Sequence, residues 1–416
     1  MQLNPEFLRL SLAFLRAVAI LLLKGHRTPA HESPAMVHLG QLKGATQDGV
    51  TVFRGVPYAA PPVRFQPPQP AIPWQGVRDA TRNGPIAPQP QLRGLLSPIT
   101  APQDEDCLTL NVWTPAGADK APVLVWIHGG GFLSGAGSLP WYDGGPLAKN
   151  HGLVVVALNY RLGVLGFLPI PGQVPGNLGL LDQIEALRWV RRHIADFGGD
   201  PERVTVAGQS GGAHNIASML AIPETAGLFQ RAILQSPPLG IGLMDRQEAP
   251  RLALRDLELS ELMAAQRKIM SATSRPDLLP PFRPDDGPPH NFPGSELVER
   301  AATGARVRGI QVLIGWTREE TSLKATTETL FAAPCRTFAS IGGASLYRFD
   351  WGASHGACHC LDIPFALGTW PAWMREPILA GADALEVELL SAEMMRYWAA
   401  FAATGEALPF RVFDRP

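Results

Sequence analysis

Cysteine is scarce in this chain. Cys107, Cys335, Cys358 and Cys360 are the only four in 416 residues. They are too few and too badly spaced for a disulfide framework, which points to reduced thiols and a cytoplasmic setting. Charge of one sign is missing too. Thirty-six basic and 37 acidic side chains leave a net −1, a balance that gives no sign of a nucleic-acid surface or a polyanionic partner. There is no apolar run long enough to span a bilayer: Leu10 to Leu23 is interrupted by Arg16 and covers 14 positions, against the roughly 20 a helix needs. Lys24 follows, where small residues would prepare a cleavage site. Residues 1–35 therefore read as an N-terminal extension, either unstructured or a weak signal or anchor segment, and outside the fold if translation starts at Met36. Secretion is the alternative to the cytoplasm if that segment works as a signal peptide. Internal repeats and heptads are absent, and 42 Gly with 40 Pro stay below the roughly 25–30% of low-complexity chains.

What is present is a hydrophobic share of 46%, enough for a large core, so residues 36–416 read as one globular domain. Short β-like runs alternate with turns: Thr51 to Phe53, Leu108 to Trp113, Val123 to Ile127 and Leu153 to Leu158. The later runs are continuously apolar, as in strands covered on both faces. Leu180, Ile184, Leu187, Val190, Ile194 and Phe197 then recur at helical spacing. Strands resume at 203–207, 231–235, 311–315 and 345–350. A last helix carries Val387, Leu390, Met394, Trp398 and Phe401, with Gly405 as a C-cap. This alternation predicts an α/β fold with a mostly parallel central sheet and helices on both faces. Two stretches break the rhythm. Residues 61–104, rich in Pro and Gln, read as an ordered surface excursion, and residues 240–300 as an insertion over the sheet's C-terminal edge, where open α/β sheets bind ligands.

Ser210 is the focal residue. It lies in Gly208-Gln209-Ser210-Gly211-Gly212, between an apolar run and a helix-compatible stretch. Strand, Gly-x-Ser-x-Gly and helix together are the context of a nucleophile elbow. Upstream, His128-Gly129-Gly130-Gly131-Phe132 follows another strand-like run, and three glycines there let backbone N–H groups be aimed at an oxyanion. A serine hydroxyl needs a base, commonly an oriented imidazole. In the Ser, acid, His order of such folds, His290, His355 and His359 remain. His290 lies in a Pro-rich loop and reads as solvated; His214, on the helix after Ser210, reads as packing. His355 and His359 share a glycine-containing loop after a strand. That loop also holds Cys358 and Cys360, but three of its four potential metal ligands are adjacent and do not converge on one tetrahedral ion. The acid is sought after the strand 311–315, at Glu319 or Glu320, whose carboxylate would hold the imidazole Nδ1–H.

The residues Phe53-Arg-Gly-Val-Pro-Tyr-Ala-Ala-Pro-Pro62, Glu105-Asp-Cys-Leu-Thr-Leu-Asn-Val112, HGGGF at 128–132, Asn159-Tyr-Arg-Leu-Gly-Val-Leu-Gly-Phe167, Gly176-Asn-Leu-Gly-Leu-Leu-Asp-Gln183 and Phe197-Gly-Gly-Asp-Pro201 stand in order along the chain. Together they resemble the type-B carboxylesterases over about residues 36–410. The resemblance implies an α/β-hydrolase fold and a serine esterase needing no cofactor or metal. It places the nucleophile on Ser210, the acid on Glu320, the base on His359 (which has the family's acid-and-Pro tail in Asp362 and Pro364) and the oxyanion donors on the backbone of Gly130, Gly131 and Gly211.

The departures from the family are specific. Gln209 and Gly211 replace the usual Glu and Ala of the elbow, and Thr321 replaces the Gly after the acid. Cys107 lacks the upstream partner of secreted relatives. Acid and base lie only 39 positions apart, so the chain reads as a shortened member with a less covered pocket. The expected activity is hydrolysis of small-molecule, uncharged, short- to medium-chain carboxylic esters through an acyl-enzyme. A weakly catalytic binding protein, a lipase and an amidase are the alternatives. The expected surroundings include no nucleic acid and no stable membrane span; the oligomeric state is left open.

Overall fold

The computed structural model describes residues 31–91, 96–170, 172, 174–247, 249, 257–272 and 280–414; the expected N-terminal extension lies outside them up to residue 30. The described residues form twelve strands: β1 His31–Val37, β2 Gly40–Gln47, β3 Val50–Pro57, β4 Val77–Asp79, β5 Thr109–Pro115, β6 Ala121–Ile127, β7 Val154–Leu158, β8 Gly199–Gln209, β9 Arg231–Gln235, β10 Gln311–Thr317, β11 Ser345–Phe349 and β12 Phe410–Phe413. They build one sheet in the order β1-β2-β3-β5-β7-β6-β8-β9-β10-β11-β12, with β4 beside β2. From β7 through β12 every neighbouring pair is parallel. The β1-β2-β3-β5-β7 side is antiparallel; tight turns join β1 to β2 and β2 to β3, whereas β5 follows the 61–104 excursion and β7 follows β6 and a helix. The first strand straddles residue 36.

The period of two along a strand explains the two-sided core. Val123, Val125 and Ile127 of β6, with Val154, Val156 and Leu158 of β7, face the layer containing Leu180, Ile184, Leu187 and Val190 of the Leu178–His193 helix. Leu124, Trp126, Val155 and Ala157 face the other layer, with Val387, Leu390, Met394, Trp398 and Phe401 of the Ala384–Thr404 helix. Both helices thus bury the stripe that their spacing predicts. The second ends at Gly405 in the left-handed conformation (φ 80°) and begins at Asp383, whose carboxylate accepts from the N–H groups of Leu385 and Glu386. Layers of helix, sheet and helix with this strand order form the α/β-hydrolase fold. No helix among the described residues is long and apolar enough to cross a membrane.

The two stretches that break the rhythm converge on the sheet's C-terminal edge. The 61–104 excursion gives β4 to the sheet, and Gln89 from it clamps Gly135, donating to its carbonyl at 3.0 Å and accepting its N–H at 2.8 Å. Over 240–300, the Leu259–Ala272 helix is tied down by Gln266, which accepts the Val164 N–H at 2.8 Å. His290 corrects the expectation of a solvated loop histidine. It is buried, its Nδ1 lies 2.9 Å from the Asp285 carbonyl, and burial pushes its pKa down to about 4.

Candidate active site

β8 ends at Gln209, and the Gly211–Leu220 helix starts two residues later. Ser210 takes the turn alone, at φ 54° and ψ −122°, a conformation that costs a non-glycine residue on the order of 1–3 kcal/mol. Its surroundings enforce it. A Cβ on Gly212 would sit 2.2 Å from the Ile127 carbonyl oxygen, and one on Gly208 would sit 2.8 Å from the same oxygen. The strand can therefore meet the helix only if both positions lack a side chain. At Gly211 a methyl group would meet nothing closer than the Phe132 ring at 3.3 Å. The glycine standing there is thus less strictly required.

The 128–132 loop follows β6 and turns at Gly130 and Gly131, with φ 106° and 62°. A Cβ on Gly130 would collide with the Ser134 carbonyl oxygen at 2.0 Å. His128 anchors the loop: its ring stacks on Tyr160, its carbonyl accepts the Tyr160 hydroxyl at 2.8 Å, and burial lowers its pKa to about 4. Gly130 borders one cavity beside His359, and Gly131 and Gly211 border a second beside Ser210.

The structure brings together Ser210, His359 and Glu320 from three separate loops. His359 Nε2 lies 2.8 Å from Ser210 Oγ, and Nδ1 lies 2.5 Å from Glu320 Oε2. The other Glu320 oxygen accepts the Thr317 N–H at 2.7 Å, so both lone-pair faces are used and the buried carboxylate is fixed. Glu319 points elsewhere. It accepts the Ala357 N–H at 2.8 Å while its own N–H donates to the Ala357 carbonyl at 3.0 Å, which zips the acid turn to the loop carrying His359. His355 stands on the surface, its Nδ1 3.0 Å from the Ser354 hydroxyl, and does not approach Ser210. His214 is buried with its Nε2 3.1 Å from the Gly242 carbonyl oxygen.

Beneath His359 lies a feature only partly legible in the sequence. Asp362 is fully buried and accepts from the Gln235 amide at 2.9 Å and the Tyr347 hydroxyl at 2.8 Å. Burial raises its pKa to about 6 against these bonds. It pins the loop to β9 and β11, and the sequence signal for it was the acid-and-Pro tail. Gln209, a departure from the family's elbow, makes a contact that residue type alone does not reveal: its amide nitrogen lies 3.1 Å from His359 Nε2. An amide N–H donated there favours the neutral ring. Burial also disfavours the charged imidazole, yet Cys360 and Glu320 beside it outweigh that, and the net direction is well above the ordinary histidine value.

Two apolar cavities meet at this group, and a more polar one of about 870 Å³, lined by Arg318, Glu319, Arg336 and His355, also borders Glu320 and His359. One of the apolar pair, of about 310 Å³, is walled by Leu96, Ile99, Leu139, Trp141, Ile363 and Ile378. The other, of about 240 Å³, is walled by Phe132, Ile241, Pro280, Leu330 and Phe331. Both are apolar, and both open beside an imidazole that is itself about one-quarter exposed. A hydroxyl hydrogen-bonded to an imidazole, which is bonded in turn to a carboxylate, beside glycine N–H groups at a helix start, is an arrangement suited to acyl transfer.

Comparison with known proteins agrees with that chemistry. The model of the carboxylesterase family matches residues 32–257, a span that includes the elbow and the glycine loop and stops before the acid and the histidine. A probable N-octanoylanthranilate hydrolase of Rhodococcus erythropolis is 38% identical, covering 88% of this chain and 92% of the relative. The para-nitrobenzyl esterase of Bacillus subtilis is 36% identical, over 88% of each. Among solved structures, a thermophilic para-nitrobenzyl esterase superposes with a TM-score of 0.83 at 32% identity, covering 92% of this chain and 96% of that one. The chain belongs to the carboxylesterase family and is a carboxylic ester hydrolase.

Proposed function

We propose that Ser210 is the nucleophile, His359 the general base and acid, and Glu320 the carboxylate that orients it, in hydrolysis of short- to medium-chain, uncharged esters. The observation that carries this reading is the unbroken Ser210–His359–Glu320 hydrogen-bond chain, at 2.8 and 2.5 Å. In the first step Ser210 Oγ attacks the ester carbonyl carbon while its proton passes to His359 Nε2. The carbonyl oxygen, now negative, accepts N–H groups of Gly130, Gly131 and Gly211. Collapse breaks the bond to the alcohol oxygen, which leaves with the proton from His359, and the acyl group stays on Ser210. Water then repeats the sequence: His359 takes its proton, the hydroxide adds to the acyl carbon, and the acid departs as Ser210 Oγ recovers the proton. The imidazolium formed in each half-reaction is stabilised by Glu320.

The size of the two apolar cavities supports the choice of substrate. Cavities of about 310 and 240 Å³ lie at or below the small end of ligand pockets, roughly 300–1,000 Å³. Their walls are apolar, and a net charge of only −1 gives the chain little pull on an ionic substrate. Each methylene left in water forgoes roughly 0.8 kcal/mol, so kcat/KM should rise with acyl length only until the cavity is full. A p-nitrophenyl ester series from acetate to palmitate tests this. A maximum at short to medium chains supports the reading, and a steady climb to long chains with activation at an oil interface would make the protein a lipase. In the same assay Ser210→Ala should lower kcat by at least about 10⁴-fold. The four cysteines, all free, support a reduced, cytoplasmic setting, which fractionation of the source cells would test.

A further inference from the structure

At the opposite edge of the sheet, two histidines and an aspartate come together without any part in ester chemistry. His38 occupies the turn between β1 and β2. His193 is the last residue of the Leu178–His193 helix, and Asp196 lies in the single helical turn Ile194–Phe197 that follows. One ring nitrogen of each histidine and a carboxylate oxygen of Asp196 lie within 4.8 Å of one another, and no other such group of three is found among the described residues. The His38 Nδ1 is 2.9 Å from Asp196 Oδ2, and the His38 backbone N–H donates to the same oxygen at 3.0 Å. The two imidazoles face each other with ring centres 6.3 Å apart. His193 packs against Trp189, is 9% exposed, and its Nδ1 is buried with no hydrogen-bond partner.

We propose that His38, His193 and Asp196 form a binding site for a divalent first-row transition-metal ion of the zinc class, which clips the first hairpin to the body of the protein. Two imidazoles and one carboxylate are a ligand set that suits Zn²⁺ and its neighbours and leaves a position for water. Metal–ligand bonds of about 2.0–2.2 Å place tetrahedral ligand atoms roughly 3.3–3.5 Å apart, so the cluster must contract slightly. The residue able to move is His38, whose side chain is 76% exposed and sits on a turn. The other two are held by the helix end. The His38 backbone N–H already orients the Asp196 carboxylate, as outer-shell donors do for ligating oxygens. Binding exchanges the proton shared between His38 and Asp196 for the metal, so no other reactant is needed. The site adjoins Gly199 at the start of β8, whereas Ser210 follows its end. Eleven residues at about 3.3 Å each separate the two edges by roughly 35 Å, so the metal bears on the fold and not on the reaction.

The test uses the untagged full chain, apo after chelation, titrated with Zn²⁺ by calorimetry and with Co²⁺ by visible absorption, beside His38→Ala and Asp196→Asn. Both substitutions fall near the surface and leave the core intact. The expected result is one Zn²⁺ per chain, a Zn²⁺-dependent rise in Tm, no such rise with Mg²⁺, and a Kd at least about tenfold weaker in each variant. The kcat/KM of His38→Ala should equal that of the wild type. If wild type shows no saturable Zn²⁺ binding below millimolar concentration, the site is only a surface ion pair and the proposal fails. It fails equally if His38→Ala binds Zn²⁺ as tightly as wild type, since the ion would then sit elsewhere, at His359 for example.

Discussion

The proposed active site has two halves that are held in different ways. The nucleophile half, from β6 to the Gly211–Leu220 helix, is fixed by the backbone. Gly208, Gly212 and Gly130 have no room for a Cβ, and the strands beneath them are parallel and buried from Val123 to Ile127 and from Val204 to Gln209. The acid–base half, between β10 and the loop after β11, is fixed by side chains. Glu320 caps the Thr317 N–H, Glu319 holds Ala357, and Asp362 accepts from Gln235 and Tyr347. A backbone constraint admits one residue type at a fixed spacing and therefore leaves a motif. A side-chain constraint has several solutions and leaves almost none. The family model matched the first half and ended before the second.

The comparison can be broken most sharply at the carboxylates. Glu320→Gln should keep the fold and lower kcat by about 10⁴-fold, as loss of the orienting acid does in other triads. Glu319→Gln should cost only about tenfold, by loosening the Ala357 bond and with it the placement of His359. Equal losses would show that the acid is not assigned to one residue.

The backbone half is probed next by adding one methyl group. Gly212→Ala places a Cβ against the Ile127 carbonyl and should lower kcat/KM by about 10²-fold through displacement of Ser210, with a lowered Tm. Gly211→Ala, which meets only the edge of Phe132, should stay within a few-fold of wild type. Comparable damage from both would mean the elbow is not held by steric exclusion.

The smallest effect is on pH dependence. His359 must be neutral to accept the Ser210 proton, so activity is lost as pH falls through its pKa. That pKa is raised, and the acid limb of kcat/KM should therefore lie above pH 6.5. Gln209→Glu replaces a neutral amide 3.1 Å from the ring with a carboxylate, which stabilises the imidazolium and should move the limb up by about one unit. An unmoved limb would separate Gln209 from the base.

Most of the fold was legible. Continuous apolar runs marked β6 and β7, and the helical spacing of Leu180 to Phe197 marked the helix beneath them, although its last turn tightens after His193. On the antiparallel side, Thr51 to Phe53 and Leu108 to Trp113 marked β3 and β5, but β1 and β2 were not legible, since their sequences mix polar residues, Pro and Gly without a strong period and β2 buries only Leu42 and Gly44. In the site, the elbow and the glycine loop could be read from residue types alone. The choice of Glu320 over Glu319, and of His359 over His355, needed the family pattern, because adjacent or near-adjacent identical residues differ only in where the backbone points them. His290 runs against the pattern: a Pro-rich loop reads as exposed, yet this one buries its ring against the Asp285 carbonyl.

The central claim is that Ser210 becomes nucleophilic through His359. It is tested most directly by the rate and position of labelling with a fluorophosphonate, followed by peptide mapping, in wild type, His359→Ala and His355→Ala. Wild type and His355→Ala should each give one rapid adduct on Ser210, and His359→Ala should be slower by orders of magnitude. An adduct on another serine, or fast labelling of His359→Ala with slow labelling of His355→Ala, would contradict it.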